Sequence, residues 1–413
     1  MSDLNIRRDP PMTKHLVASG VFKDSDFVLI DVGVSGGLDD QWRHFGDDLR
    51  AVGFDPWIDE CKRLAGEEKS AKVDYVAALV GIVDAAHWYH QKVEGEPGRK
   101  HREYTIADRV SDPYPRTSVN DMQRAQGRFD RPPVAISTQK IQIDDFVRGA
   151  RLDHVDFIKI DTDGDDFEAL LGCDGIIDSH GVLGFCIETQ FHGPVSDRSN
   201  TFANLDRYLR SKGFLLFDTS MHRYSRSALP SQFVLNIAAQ TEFGQLMWGD
   251  AVYLRDPAAP DYAARWSAKF SPHQLLKLAC LFEIYSMPDC AAELIVTYRA
   301  EIDRVTATSA LLDLLTPRLE GKRLGYDDYM AKFTERLDLF FPVAPDTLDD
   351  LAMPSDGLIP SDREAILEGQ VEVLKQSVAL KDAMLAEKTY ALENLQNLYT
   401  ILLRQQVEAQ NGS

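Results

Sequence analysis

No apolar run in the 413 residues approaches the roughly 18 needed to cross a bilayer as a helix. Cysteine is sparse, at five residues (Cys61, Cys173, Cys186, Cys280 and Cys290), and no two stand in a CxxC spacing. That removes zinc-ribbon and disulfide-framework readings and fits buried thiols in a reducing compartment. Basic charge is also short: 45 Lys and Arg against 65 Asp and Glu give a formal net charge of −20. A general nucleic-acid binder wants the opposite balance, so no nucleic-acid partner is expected. The opening MSDLNIRRDPPMTKHL lacks the apolar stretch of a secretory signal, and a cytoplasmic protein without a transmembrane segment is the expectation.

What remains is an ordinary globular composition, 44% hydrophobic and 27% charged, with chain enough for two or three domains. After an N-terminal segment (1–19), residues 20–258 alternate short β-branched or aromatic runs with amphipathic stretches. The runs are Phe27–Val32, Leu49–Phe54, Tyr75–Val80, Val155–Ile160, Gly184–Ile187, Phe214–Phe217 and Ala251–Leu254. Strands alternating with helical patterns predict an α/β domain of Rossmann-like type. Residues 91–134 break the alternation with Pro97, Pro113, Pro115, Pro132 and Pro133 among many arginines, as an insertion or lid would.

Residues 268–340 read as helices only. Leu275, Leu276, Leu278, Ala279, Phe282 and Tyr285 fall at helical spacing, and Pro288 opens a second helix, so a helical cap on the α/β domain is expected. A Pro- and Asp-rich linker (341–361) follows. Residues 362–408 then carry a heptad-like series from Leu367 through Leu374, Leu385, Leu392 and Leu395 to Leu402. This predicts a coiled-coil helix that makes a homo-oligomer or docks a partner protein.

Three strings carry chemistry. In Phe27-Val-Leu-Ile-Asp31-Val-Gly33-Val-Ser35-Gly-Gly37 a buried strand ends in an acid and a glycine turn. Glycines there let the backbone approach a ligand closely. The helix expected from Asp39–Asp40 would offer free N–H groups to an anionic part of that ligand. The spacing differs from Gly-x-Gly-x-x-Gly, since the second glycine counted from Gly33 would be Ser35, which weakens a nicotinamide oxidoreductase reading. In Val52-Gly-Phe-Asp55-Pro-Trp57 an acid closes the second strand, where a carboxylate can accept both hydrogen bonds of a ribose diol. The third strand ends in small residues around Ala78 that leave room for a flat purine.

The third string, Asp156-Phe-Ile-Lys159-Ile-Asp161-Thr-Asp163-Gly164-Asp165-Asp166-Phe-Glu168, gathers carboxylates at the carboxyl end of the fourth strand. Open α/β sheets bind ligands at that end. Asp165, Asp166 and Glu168 suit a helix N-terminus, whereas Asp161 and Asp163 precede it and face the cleft. The fifth strand adds Glu188 and His192 at the same rim, and His192 is a candidate base because an imidazole titrates near neutrality. Candidate catalytic residues are therefore Asp161, Asp163 and His192. Asp161, Asp163 and Glu188 are a candidate Mg²⁺ set able to lower a hydroxyl's pKa.

The strings IDVGVSGG, VGFDPW and DFIKIDTDGDDFEALLG resemble those of the FkbM-type S-adenosylmethionine-dependent methyltransferases. Lys159, Asp161, Gly164, Glu168, Leu170 and Gly172 match the family's run, while Asp163 and Asp166 stand where glutamine and glutamate are more usual. The resemblance spans roughly residues 20–255. It implies a seven-stranded class I methyltransferase sheet with a reversed final hairpin, and O-methylation of a sugar, glycan precursor or related metabolite. It further implies that Gly33–Gly37 hold the methionine part of S-adenosylmethionine and Asp55 its ribose, so that the candidate cofactor-binding residues are Asp31, Gly33, Ser35, Gly37, Asp55 and Ala78. The rival reading is a non-catalytic assembly protein with a degenerate cofactor fold and a docking tail.

Overall fold

The computed structural model describes residues 4–82, 137–162, 164–191, 197–224, 240–266 and 269–340. The expected lid (91–134), linker and coiled-coil helix, together with Asp163 and His192, lie outside these residues. Eleven described strands are β1 (Phe27–Val32), β2 (Leu49–Asp55), β3 (Val73–Ala77), β4 (Leu79–Val80), β5 (Lys140–Ile141), β6 (Phe157–Ile160), β7 (Gly184–Gln190), β8 (Phe214–Thr219), β9 (His222–Tyr224), β10 (Gln240–Thr241) and β11 (Gln245–Arg255). Nine of them form one sheet in the order β10-β9-β11-β7-β6-β1-β2-β3, with β8 also paired to β11. The seven strands expected are thus nine, because the stretch after β8 adds β9 and β10. Strands β3, β2, β1, β6 and β7 run parallel, and β11 is antiparallel to β7 and β8. The run expected as one third strand splits at Ala78, and its second half pairs with β5 in a separate two-stranded sheet.

The helices are α1 (Pro11–Ala18), α2 (Ile58–Glu67), α3 (Ile143–Gly149), α4 (Asp166–Leu171), α5 (Asp174–Ser179), α6 (Phe202–Ser211), α7 (Tyr262–Arg265), α8 (Pro272–Ile284), α9 (Pro288–Thr297), α10 (Arg299–Ile302), α11 (Thr308–Leu315) and α12 (Tyr326–Glu335). The central strands are buried on both faces, which is why they read as unbroken apolar runs. Period-two alternation divides them between two cores. Phe27, Leu29, Ala51, Phe157, Val252 and Leu254 pack with Trp42, Phe45, α8 and α9. Val28, Ile30, Val52, Ile158, Ile160 and Tyr253 pack with α3, α4, α5 and α6 on the other side.

The helix α8 begins with a capping box between Ser271 and Gln274 and carries Pro272 in its first turn. Ten consecutive residues, Leu275 to Ile284, are buried, so it lies inside the body as one layer of the first core. Its buried polar residues are paired. Lys277 Nζ donates to Asp156 Oδ2 at 2.8 Å and to the Asp26 carbonyl at 2.7 Å. The carboxylate of Glu283 accepts the Met12 and Thr13 amides at the start of α1, at 3.0 and 2.7 Å. Residues 1–336 form one compact unit. Residues 337–413 form a second, of which only the 3₁₀ turn Leu337–Phe340 is described.

Candidate functional site

The carboxyl ends of β1, β2 and β6 meet at the glycine turn. Gly33 has φ 90°, and a side chain there would overlap the carbonyl oxygen of Asp161, so glycine is what lets the ends of β1 and β6 close together. Its amide and that of Val34 both donate to the Phe54 carbonyl, at 2.8 and 3.1 Å, which folds the turn back on β2. Gly36 and Gly37 also have positive φ, 94° and 100°, and Ser35 and Gly36 are exposed. The Gly36 amide donates to Glu60 Oε1 of α2 at 3.0 Å, and Arg63 holds that carboxylate in turn.

The helix expected after this turn differs. Residues Asp40–Asp48 form a 3₁₀ segment interrupted at Gly46 (φ 54°), without a side-chain cap. It is a 3₁₀ rather than an α-helical segment, and the side chains at its start, Asp39 and Asp40, are carboxylates.

Those carboxylates surround one lysine. Parallel pairing sets Lys159 of β6 beside Asp31 of β1. Its Nζ lies 3.8 Å from Asp31 Oδ1, 3.6 Å from Asp39 Oδ2 and 3.9 Å from Asp161 Oδ2. Asp31 is fully buried, and neither of its oxygens accepts a hydrogen bond. Burial pushes its pKa up to about 7; Lys159 opposes the rise, and Asp39 and Asp161 add to it. Burial alone would lower the Lys159 pKa, but Asp31, Asp161 and Asp39 outweigh it and hold the ammonium charged.

The Asp161 amide donates to the Val32 carbonyl at 2.8 Å, and Asp166, five residues on, does more than favour a helix start. The buried Asp166 carboxylate accepts the Thr162 amide at 2.6 Å, the Thr162 hydroxyl at 2.9 Å, the Gly164 amide at 3.1 Å and Asn200 Nδ2 at 2.7 Å. Burial raises its pKa to about 7 against the Thr162 hydrogen bonds. Glu168 is also buried and pairs with Arg198 at 3.2 Å.

On the other flank, Asp55 ends β2 almost fully buried, and its Oδ1 accepts the Trp57 amide at 2.8 Å. One oxygen is thus committed to the turn into α2. Ala78 is 1% exposed, packs in the second core, and its amide donates to the Asp55 carbonyl. Glu188 lies within β7 and is buried, directly opposite Asp250 of β11. Among the described residues no group of three or more His, Cys, Asp or Glu side chains is arranged to hold a metal. Lys159 supplies the countercharge within the acid cluster that a cation would otherwise bring.

Asp250 escaped the sequence reading because the last strand seemed to start at Ala251, whereas β11 begins six residues earlier, at Gln245. Extending that run to Met247-Trp248 would have exposed it. Ser220 fixes its carboxylate: the Ser220 hydroxyl donates to Asp250 Oδ2 at 2.9 Å, and the Asp250 amide donates to Ser220 Oγ at 2.7 Å. Burial, then the nearby Asp161 charge, raises its pKa to about 6. The structure therefore brings Asp31, Gly33, Gly37 and Asp161 together, with Asp55 across the turn. It adds Lys159, Asp39, Asp166 and Asp250.

The family model described as the methyltransferase FkbM domain matches residues 91–216. The match takes in Asp161, Asp166 and Glu188, but the FkbM match begins after the glycine turn and Asp55, which the expected span of 20–255 included. No curated protein sequence matches the chain. Among solved structures, the magnesium protoporphyrin IX methyltransferase from Synechocystis PCC 6803 with bound SAH is similar at 8% identity and a TM-score of 0.25. That likeness covers 60% of this chain and 82% of the other. A methyltransferase described as putative from Thermoplasma acidophilum is similar at 10% identity and a TM-score of 0.24, covering 56% and 68%. No helix among the described residues is long and apolar enough to cross a membrane.

Proposed function

We propose that this chain is an S-adenosylmethionine-dependent methyltransferase that acts on a hydroxyl of a small-molecule or glycan acceptor. The observation that supports it best is Asp31: a buried carboxylate without a hydrogen bond, beneath a glycine turn and one strand away from a second acid, Asp55. Three carboxylates against one lysine leave an excess of negative charge at that place. S-adenosylmethionine carries two cationic centres, an ammonium and a sulfonium, so the charge and the gap suit it.

When bound, that cofactor supplies the electrophilic methyl group. Gly33–Gly37 would take its methionine part, with Asp31 toward the ammonium, and Asp55, at the end of β2, would take the ribose. Asp161, just after β6, and Asp250, within β11, would flank the acceptor. A hydroxyl nucleophile must lose its proton as it attacks, and a fixed carboxylate titrating near 6 is suited to accept it.

Isothermal titration with S-adenosylhomocysteine, run beside NAD, tests the reading. Micromolar binding of the former, weakened about tenfold or more by Asp55→Ala, is expected. Absence of binding heat with S-adenosylhomocysteine, or tighter binding of NAD, refutes it.

A further inference from the structure

The three contacts of Lys159 are nearly equal, between 3.6 and 3.9 Å, and none is as short as an N–H···O hydrogen bond, usually 2.7–3.2 Å. An ammonium that stabilised the fold by pairing would settle on one carboxylate. This one sits among three that come from separate segments: the end of β1, the loop before the 3₁₀ segment, and the residue after β6. Two of the three, Asp39 and Asp161, are partly open to solvent, whereas Asp31 is wholly enclosed. The lysine side chain is itself only 18% exposed, so its charge acts where water screens it little.

We propose that Lys159 is a positioning residue of the cofactor site, a shared counter-ion that holds Asp31, Asp39 and Asp161 facing one point where the cationic end of the ligand docks. The proposal rests on the S-adenosylmethionine reading and adds to it a role for a residue that makes the site rather than lines it. The loose contacts are part of the argument. Three carboxylates held at that distance from one cation keep unsatisfied acceptors for a second one, which a tight bidentate pair would not.

Other groups facing this cluster do not supply the same charge. Cys186, beside Lys159 on β7, is a buried thiol whose pKa burial pushes well above its usual value, so it stays neutral. Tyr285, from the end of α8, is neutral for the same reason. Asp250, from β11, is a further acid. Lys159 is therefore what allows Asp31 to ionise near neutral pH. Without it, burial and the charges of Asp39 and Asp161 all act to protonate Asp31, and the ligand's ammonium would lose its partner.

The test is titration of the full chain with S-adenosylhomocysteine, which keeps the α-ammonium, from pH 5.5 to 8.5. Wild-type affinity is expected to fall on acidification through about pH 7. Lys159→Met should bind at least tenfold more weakly at pH 7, with the midpoint of the pH profile displaced upward. Lys159→Arg should restore most of the affinity and the original midpoint. Asp39→Asn, a change at a half-exposed side chain, should displace the midpoint downward, and it reports on the shared charge even if Lys159→Met does not fold. Unchanged affinity and midpoint in a folded Lys159→Met, or an unmoved midpoint in Asp39→Asn, overturns the positioning role while leaving the cofactor reading standing. A wild-type chain that binds no S-adenosylhomocysteine at any pH overturns the cofactor reading and this role with it.

Discussion

Replacing Lys277 with methionine removes an ammonium from a place that water does not reach. Lys277 and Asp156 are each 1% exposed and 2.8 Å apart, and the lysine also meets the Asp26 carbonyl and His154 Nε2 at 2.7 and 3.0 Å. Asp156 Oδ2 additionally accepts the Val28 amide at the start of β1, at 2.8 Å. Burial lowers the Lys277 pKa despite the attraction of Asp156, so desolvation exceeds what the pair returns. The pair is thus weak as a source of net stability but costly to break by halves. A buried partner left alone typically costs ~3–5 kcal/mol. Lys277→Met removes the buried ammonium and leaves the Asp156 carboxylate with the Val28 amide and His154 Nε2, 3.3 Å away, so it should cost up to about that much. Asp156→Asn should cost less, on the order of 1–3 kcal/mol, because a lysine can shed its proton and an asparagine can still accept from Val28. In the double variant no charge is left buried, so its loss should be smaller than that of Lys277→Met alone. Urea denaturation followed by tryptophan fluorescence measures the cycle. Losses that simply add, or a Lys277→Met variant within ~1 kcal/mol of wild type, would refute the reasoning.

Two further outcomes follow from the site. Gly33→Ala requires both a positive φ and room that the Asp161 carbonyl occupies. It should cost at least ~2–3 kcal/mol and abolish S-adenosylhomocysteine binding, checked by thermal shift and calorimetry. Asp31 carries a folded-state pKa of about 7 against an ordinary 3.8, so the native state holds the extra proton between those values. Its contribution to stability is full below about pH 4 and is lost as pH rises through 7. Asp31→Asn should therefore flatten the decline of the ligand-free melting temperature between pH 5 and 8 and raise it at pH 8. The same variant should bind S-adenosylhomocysteine more than tenfold more weakly. A parallel, unflattened profile would count against a buried acid at this position.

The parts of this fold legible in the sequence are those with a local cause. Strands β1, β2 and β6 are buried on both faces, so each reads as a continuous apolar run ending in Asp31, Asp55 or Asp161. Gly33 stood out because no other residue tolerates its backbone. What could not be read depends on pairing between distant segments. Asp250 gains meaning only opposite Glu188 and against Ser220, and Lys159 only once β6 lies beside β1. Asp166 looked like a helix-start preference because its partners Thr162, Gly164 and Asn200 converge only after the loop folds. The 3₁₀ segment at Asp40–Asp48 has an amphipathic pattern, and its interruption at Gly46, whose φ is positive, is not marked in that pattern.

The capping of α1 by Glu283 also bears on how the molecule is made. The amides of Met12 and Thr13 wait for an acceptor 271 and 270 residues further along, and the Arg7 amide pairs with the Ile284 carbonyl beside it. At about 5–20 residues per second of synthesis, that delay is roughly 15–50 s. During it the β1 side of the first core, including Phe27, Leu29 and Trp42, lacks the layer that α8 provides. The nascent chain is then a client for whatever shields apolar surface at the ribosome. Slow codons placed before residue 272 would lengthen the exposure, and slow codons placed after residue 315 would not.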